Sequence, residues 1–210
     1  MSLGRFISLE GGEGGGKTTQ IERLRVAIEA HGIEVVTTRE PGGSAVGELI
    51  RGILLDRSLP PMYPDTELLL MFAARAEHVH RVIRPALAAG TWVLSSRFTD
   101  ASFVYQGAGR GVEPARLQAL ADWTLQGFAP DRTFVLDLPV AIGMDRVIAR
   151  GAVDRFEAES IEFFERVRQG YLRRVAAQPD RVKRIDAVAP VAAVTEAILS
   201  DLQPWLNPLT

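Results

Sequence analysis

Gly11-Gly12-Glu13-Gly14-Gly15-Gly16-Lys17-Thr18 follows a short apolar run, Phe6-Ile7-Ser8-Leu9, and precedes a helical pattern with Ile21, Leu24 and Ile28. The octet satisfies G-x-x-x-x-G-K-[ST] at every fixed position, and a strand before and a helix after are the context that motif needs. Glycines let successive backbone N–H groups turn toward an anion, and the helix N-terminus adds its dipole. Gly11, Gly12, Glu13, Gly14, Gly15, Gly16, Lys17 and Thr18 are therefore the candidate ATP-binding residues. Lys17 is a compact charge for the β- and γ-phosphates, and Thr18 offers a hydroxyl to Mg²⁺.

Outward from this loop, five runs read as buried strands: 5–9, 33–38, 91–95, 133–138 and 182–186. They are short and rich in Val, Ile, Leu, Phe and Thr. Helical patterns lie between them. Gly32 stops the first; Asp65 or Thr66 caps a long one carrying Leu68, Leu69, Phe72 and Val79 and ending near Gly90; Pro114 and Pro139 mark first turns; Pro190 opens the last, with Val194, Ile198 and Leu202. Strands alternating with helices imply parallel pairing with right-handed crossovers. The expected architecture is one three-layer α/β domain over residues 1–210, its ligands gathered at the carboxyl ends of the strands.

Composition narrows the function. With 24 basic and 26 acidic residues, the net charge is -2, which disfavours a nucleic-acid coat. There is no cysteine, so thiolate chemistry and Cys-held metal are excluded. No apolar run reaches the ~18 residues of a membrane span, and no signal-peptide pattern opens the chain; a cytoplasmic protein is expected. Only Lys17 and Lys183 are lysine, against 22 arginines. Codon bias accounts for most of that imbalance, but a phosphate loop needs a flexible ammonium that a planar guanidinium does not replace. No Asn-Lys-x-Asp guanine signature is present, and the length suits a small kinase better than a motor.

Five blocks then make a resemblance specific: GGEGGGKTT (11–19), TREPGG (38–43), LLLMFAARAEH (68–78), SRFTDASFVYQGAGRG (96–111) and ARGAVDRFE (149–157). From end to end the chain resembles the bacterial thymidylate kinases. The resemblance implies a P-loop NTPase fold with a five-stranded parallel sheet flanked by helices, and a short lid at about 146–157. It implies Mg²⁺-dependent phosphoryl transfer from ATP to dTMP, a step toward dTTP, and a homodimer. Such chemistry needs arginines, a lysine and Mg²⁺ ligands; an acceptor phosphate is already a nucleophile.

Residue by residue, the resemblance places Arg51 and Arg97 at the acceptor phosphate, with Arg39 at a strand end beside Glu40. It puts Glu13 on the sugar 3′-hydroxyl and Arg75 on a thymine carbonyl. Ser102 and Gln106 face the base edge, and Tyr105 lies under the sugar, excluding a 2′-hydroxyl. Met71 stands where the family has its stacking aromatic, with Phe72 next to it; which one faces the base stays open, and Phe72 is the candidate. Arginines around Gly151 suit a closing lid, and Arg150 and Arg155 are the candidates to join Lys17 and Arg97 in catalysis. Leu68–Leu70 and the helix around Trp123 are core or interface.

One position departs. The family has an acid before Arg97; here it is Ser96. Glu40, Asp100 or Asp137 is then expected to supply the missing charge near Mg²⁺, Glu40 being the candidate metal residue after Thr18, or the metal site is weaker. A kinase for another monophosphate and a non-catalytic nucleotide-binding module are the alternatives.

Overall fold

The computed structural model describes residues 4–151 and 155–207, the Arg150 side chain excepted. Five strands, β1 (Phe6–Glu10), β2 (Val35–Arg39), β3 (Trp92–Ser96), β4 (Arg132–Asp137) and β5 (Val182–Asp186), form one parallel sheet in the order β2-β3-β1-β4-β5. All five expected strands are present, with ends shifted by up to two residues. β1, at the centre, is buried along its whole length, because helices cover both faces. Its side chains alternate: Phe6 faces one core and Ile7 and Leu9 the other.

On the Ile7 face pack α1 (Lys17–Glu29) and α9 (Val191–Leu206), through Leu24, Ile28, Ile198 and Leu202. The opposite face carries two clusters. One joins Phe6, Val93 and Phe98 to α3 (Pro64–His78) and α6 (Pro114–Leu125). The other joins Val135 to Phe163, Phe164 and Tyr171 of α8 (Ile161–Ala177). The remaining helices are α2 (Ala45–Leu55), α4 (Arg84–Ala88), α5 (Thr99–Ser102) and α7 (Val140–Arg150). No described helix is long and apolar enough to cross a membrane.

Two helical paths differ from expectation. α3 begins at Pro64 after Tyr63, with neither Asp65 nor Thr66 as cap; proline supplies the preset φ, and Asp65 and Glu67 face the N-terminal dipole. The helix then loosens into a π-helical turn at Val79–Ile83 before α4. Pro85 is the cause: it has no N–H, and its ring crowds the carbonyl four residues back. A second π-helical turn, Phe103–Gly109, continues α5, and Arg110 N–H closes it onto Tyr105 O at 2.9 Å. Such turns recur at functional sites. This one carries Tyr105 and Gln106.

β1 lies where the chain order reverses across the sheet, the switch point at which α/β proteins bind ligands. The glycine loop leaves β1 there, and Arg97 leaves the neighbouring β3.

Candidate active site

The loop after β1 is an arch of backbone. Gly16, in the left-handed region at φ 83°, caps α1 without a side-chain bond. Lys17 is buried and gives its ammonium protons to Gly11 O (3.1 Å) and Gly12 O (2.8 Å), inside the arch. Burial, with the Arg97 charge nearby, pulls this lysine from 10.5 down to about 8. The arch rests on α7: a Cβ at Gly14 would come within 2.2 Å of Gly143 O, and one at Gly143 within 2.5 Å of Glu13 O. Arg146 donates to Gly14 O at 3.2 Å from the same helix.

Beside the arch opens a cleft of about 490 Å³, solvent at its mouth included. At the loop end stand Glu13, Arg97 and Tyr105. Arg97 ion-pairs with Glu13 Oε1 and donates to Tyr105 Oη at 3.0 Å, and Tyr105 gives its own proton to Glu13 at 2.9 Å. Burial opposes a charge on Glu13, but Arg97 and Lys17 outweigh it and hold the carboxyl below the usual carboxylate range. Burial pushes the Tyr105 phenol well up, so it stays a donor. Arg97 itself has φ 69°, costly for a residue with a Cβ. Its backbone is clamped by Leu9 O (2.9 Å from Arg97 N), by the Ser95 hydroxyl on its carbonyl (2.7 Å), and by Glu10, which accepts the next N–H, Phe98, at 2.7 Å.

At the far end, Arg75 is 2% exposed. Its Nε donates to Glu40 Oε2 (2.7 Å) and one Nη to Phe98 O (3.2 Å). The other Nη is buried without a partner, as are Ser102 Oγ and Gln106 Oε1. All three residues line the one cleft. Buried polar atoms are nearly always paired. Three unpartnered polar atoms on residues of one cleft suit a ligand that carries both hydrogen-bond donors and acceptors.

With this geometry in view, the likenesses to known proteins are decisive. Residues 9–198 match the family model for thymidylate kinase. The chain belongs to the thymidylate kinase family. It is 51% identical to a thymidylate kinase of Alkalilimnicola ehrlichii, covering 99% of this chain and 98% of that protein. It is 53% identical to one of Pseudomonas entomophila over 93% of each. The crystal structure of thymidylate kinase from Ehrlichia chaffeensis superposes with a TM-score of 0.79 at 30% identity, covering 96% of this chain and all of that one.

Within this thymidylate kinase fold, Glu13, Arg51, Arg75, Arg97, Ser102, Tyr105 and Gln106 all line the cleft. Arg51 reaches it from α2 and donates to Pro41 O at 2.8 Å. Arg39 does not reach it: its side chain is 53% exposed and paired with Glu48 at 2.8 Å. Phe72 turns into the core under the Arg75 guanidinium, 4.7 Å away, and Met71 takes the cleft position. The helix face decides this, since one residue is about 100° of rotation. Arg155 gives its donors to Leu54 O (2.7 Å) and Glu67 Oε2 (2.6 Å), because a buried carboxylate demands cations. The Arg150 side chain and Ala152–Asp154 of the lid lie outside the described residues.

The acids proposed to replace the one missing at Ser96 are all committed elsewhere. Glu40 spends both oxygens, on Arg75 and on His78 Nδ1 (3.0 Å). Asp100 pairs with Arg174 (2.7 Å) and Arg181 (2.9 Å), and Asp137 with Arg168 (2.7 Å) and Arg184 (2.7 Å). No group of three or more metal-ligating His, Cys, Asp or Glu side chains occurs among the described residues. Mg²⁺ carried by a nucleotide needs none, since phosphates and waters fill most of its octahedron. Thr18, exposed in the first turn of α1, fits as the protein's oxygen.

Sequence reasoning missed Glu10, Glu67, His78, Gly143 and Glu157. Glu157 is buried and near enough to raise the Lys17 pKa. His78 buttresses Glu40 and lies 2.6 Å from Thr38 Oγ1. A glycine inside the amphipathic 140–150 pattern was the available signal for Gly143. Glu67 gave none, because an acid in a first helical turn is already explained by the dipole.

Proposed function

We propose that this protein phosphorylates dTMP to dTDP with ATP and Mg²⁺, a step toward dTTP. It is an ATP-dependent nucleoside monophosphate kinase. The orphaned donor of Arg75 and acceptor of Gln106, on one wall of a cleft that opens beside the phosphate loop, carry the acceptor assignment. Thymine answers them with O4 and N3–H, and Met71 covers its face. Tyr105 lies under a deoxyribose and leaves no space for a 2′-hydroxyl, while Glu13 takes the 3′-hydroxyl. Arg51 and Arg97 hold the α-phosphate.

In the reaction an oxygen of that phosphate attacks the γ-phosphorus of ATP, the bond to the β-phosphate oxygen breaks, and ADP leaves. Loop N–H groups and Lys17 hold the β- and γ-phosphates, and preorganised cations offset the spreading charge. Thr18, with the Ser96 hydroxyl at the end of β3, would hold Mg²⁺, which when bound would supply positive charge against the phosphates. Arg150 brings further charge from the lid, about 146–157 of a single kinase domain, and Arg155 anchors that lid.

A cytoplasmic homodimer with no nucleic-acid partner fits the remaining surface. Leu49 on α2, Leu69 on α3 and Trp123 on α6 are 73%, 57% and 79% exposed, on helices that pack side by side. Light scattering tests the dimer. A coupled assay of ADP formation with dTMP, dUMP, AMP, CMP, UMP and GMP tests the substrate. A better acceptor than dTMP would overturn the assignment; no turnover with any would favour a binding module.

A further inference from the structure

Glu67 is 1% exposed, one turn into α3, and four donors converge on its carboxylate. Oε1 accepts from Gln106 Nε2 (2.9 Å) and Arg110 Nε (3.3 Å). Oε2 accepts from Arg155 Nη2 (2.6 Å) and Arg110 Nη2 (3.4 Å). Arg155 is held in turn by Leu54 O, and Arg110 by Glu159 at 2.7 Å.

The chemical consequence falls on Gln106. A side-chain amide can present its oxygen or its nitrogen to either side, and only its partners decide which. An ionised carboxylate can only accept, so the Gln106 nitrogen must face Glu67. Its oxygen must then face the cleft, where it is buried without a partner. Glu40 does the same for Arg75: by taking Nε it fixes the fork so that one Nη is left as a donor on the cleft wall. The wall therefore offers one set donor and one set acceptor. Thymine and uracil present the complement, a carbonyl at C4 and an N3–H. Cytosine presents the reverse at both atoms, an amine and an unprotonated N3.

We propose that Glu67 is a specificity-determining positioning residue: by fixing the orientation of the Gln106 amide, it makes the cleft reject cytosine nucleotides. The proposal rests on the reading of this cleft as the dTMP site. A neutral amide at 67 can donate as well as accept, which frees Gln106 to flip and meet the unprotonated N3 of dCMP, removing one of the two mismatches while the Arg75 donor still opposes the C4 amine. Sites that read hydrogen bonds discriminate by leaving buried groups unpaired against the wrong substrate.

The test is Glu67→Gln, assayed for kcat and KM with dTMP, dUMP and dCMP. The ratio of kcat/KM for dTMP over dCMP is expected to fall about tenfold or more, mainly through a lower KM for dCMP. The dTMP to dUMP ratio stays constant, because both bases carry N3–H. A merely structural role would lower all three acceptors together and leave the ratios unchanged, which overturns the proposal. The double variant Glu67→Gln/Gln106→Glu exchanges the partners and keeps an acceptor facing the cleft. It is expected to hold the wild-type ratio, and a double variant that loses the preference overturns the proposal. If Glu67→Gln alone fails to fold by thermal melt, the double variant carries the test. Gln106→Leu separates the two readings. If it leaves the dTMP over dCMP ratio untouched, Gln106 does not read the base and the cleft assignment falls. If it collapses the ratio while Glu67→Gln does not, only the role of Glu67 falls.

Discussion

The two ends of the active site are built from different materials. The donor end is backbone: glycine N–H groups, one helix N-terminus and the carbonyls that hold Lys17, all within eight consecutive residues. The acceptor end is side chains from α2, α3, α5, the strand ends and a π-helical turn, of which Arg75 and Gln106 are oriented by other buried side chains. A phosphate is the same in every nucleotide, so a fixed local arch suffices. A base must be told from its isosteres, so its recognition depends on which atom of a fork or an amide is left over after internal partners are satisfied.

The sharpest way to break this contrast is Lys17→Ala. Lys17 is the arch's one cationic side chain, so kcat should fall by at least about 10²–10³ with little change in the KM for dTMP. A smaller loss would mean that backbone alone carries donor binding. Arg75→Met attacks the other end. It should lower kcat/KM for dTMP by about a hundredfold and leave the KM for ATP unchanged. Because it strands Glu40 in the interior, it should also destabilise the fold by about 3–5 kcal/mol, read by chemical denaturation.

The pH dependence separates the ends without mutation. Lys17 carries its charge below about pH 8 and loses it above. kcat/KM for ATP should therefore fall up to about tenfold per pH unit beyond 8, while dTMP binding, held by arginines, stays level. Tyr105→Phe removes the hydrogen bond to Glu13 and the one accepted from Arg97, and should lower kcat/KM for dTMP about fivefold. The smallest effect is expected from Ser96→Asp, within about threefold in kcat at saturating Mg²⁺, given that phosphates, water and Thr18 supply most of the coordination. A rise of about a hundredfold, some 2.7 kcal/mol of barrier, would show Ser96 to be a crippling substitution.

The same contrast governs how much could be read from the sequence. The strands were legible because burial on both faces makes each a short unbroken apolar run, and the arch because its residues are contiguous. Cleft membership was legible for Arg75, Ser102, Tyr105 and Gln106 through the resemblance. What each offers a ligand was not, since that depends on Glu40 and Glu67, 35 and 39 residues away in the chain. The choice between Met71 and Phe72 stays open in the sequence because one step of helix rotation separates them, and no periodicity signals the surface pairing of Arg39 with Glu48. The sequence does not reveal which buried acid pairs with Arg155; the structure shows Glu67.

The near absence of lysine has a practical corollary. Besides the α-amino group, the chain offers two primary amines, and they differ sharply. Lys183 is a surface side chain whose ammonium donates to Pro179 O. Burial and the nearby Arg97 charge pull Lys17 down to about 8, so it gives up its proton more readily than an ordinary lysine. It sits where a nucleotide's phosphates would direct an electrophile. An ATP analogue bearing an acylating group on its terminal phosphate should label this one position, turning the donor loop into a single-site covalent handle.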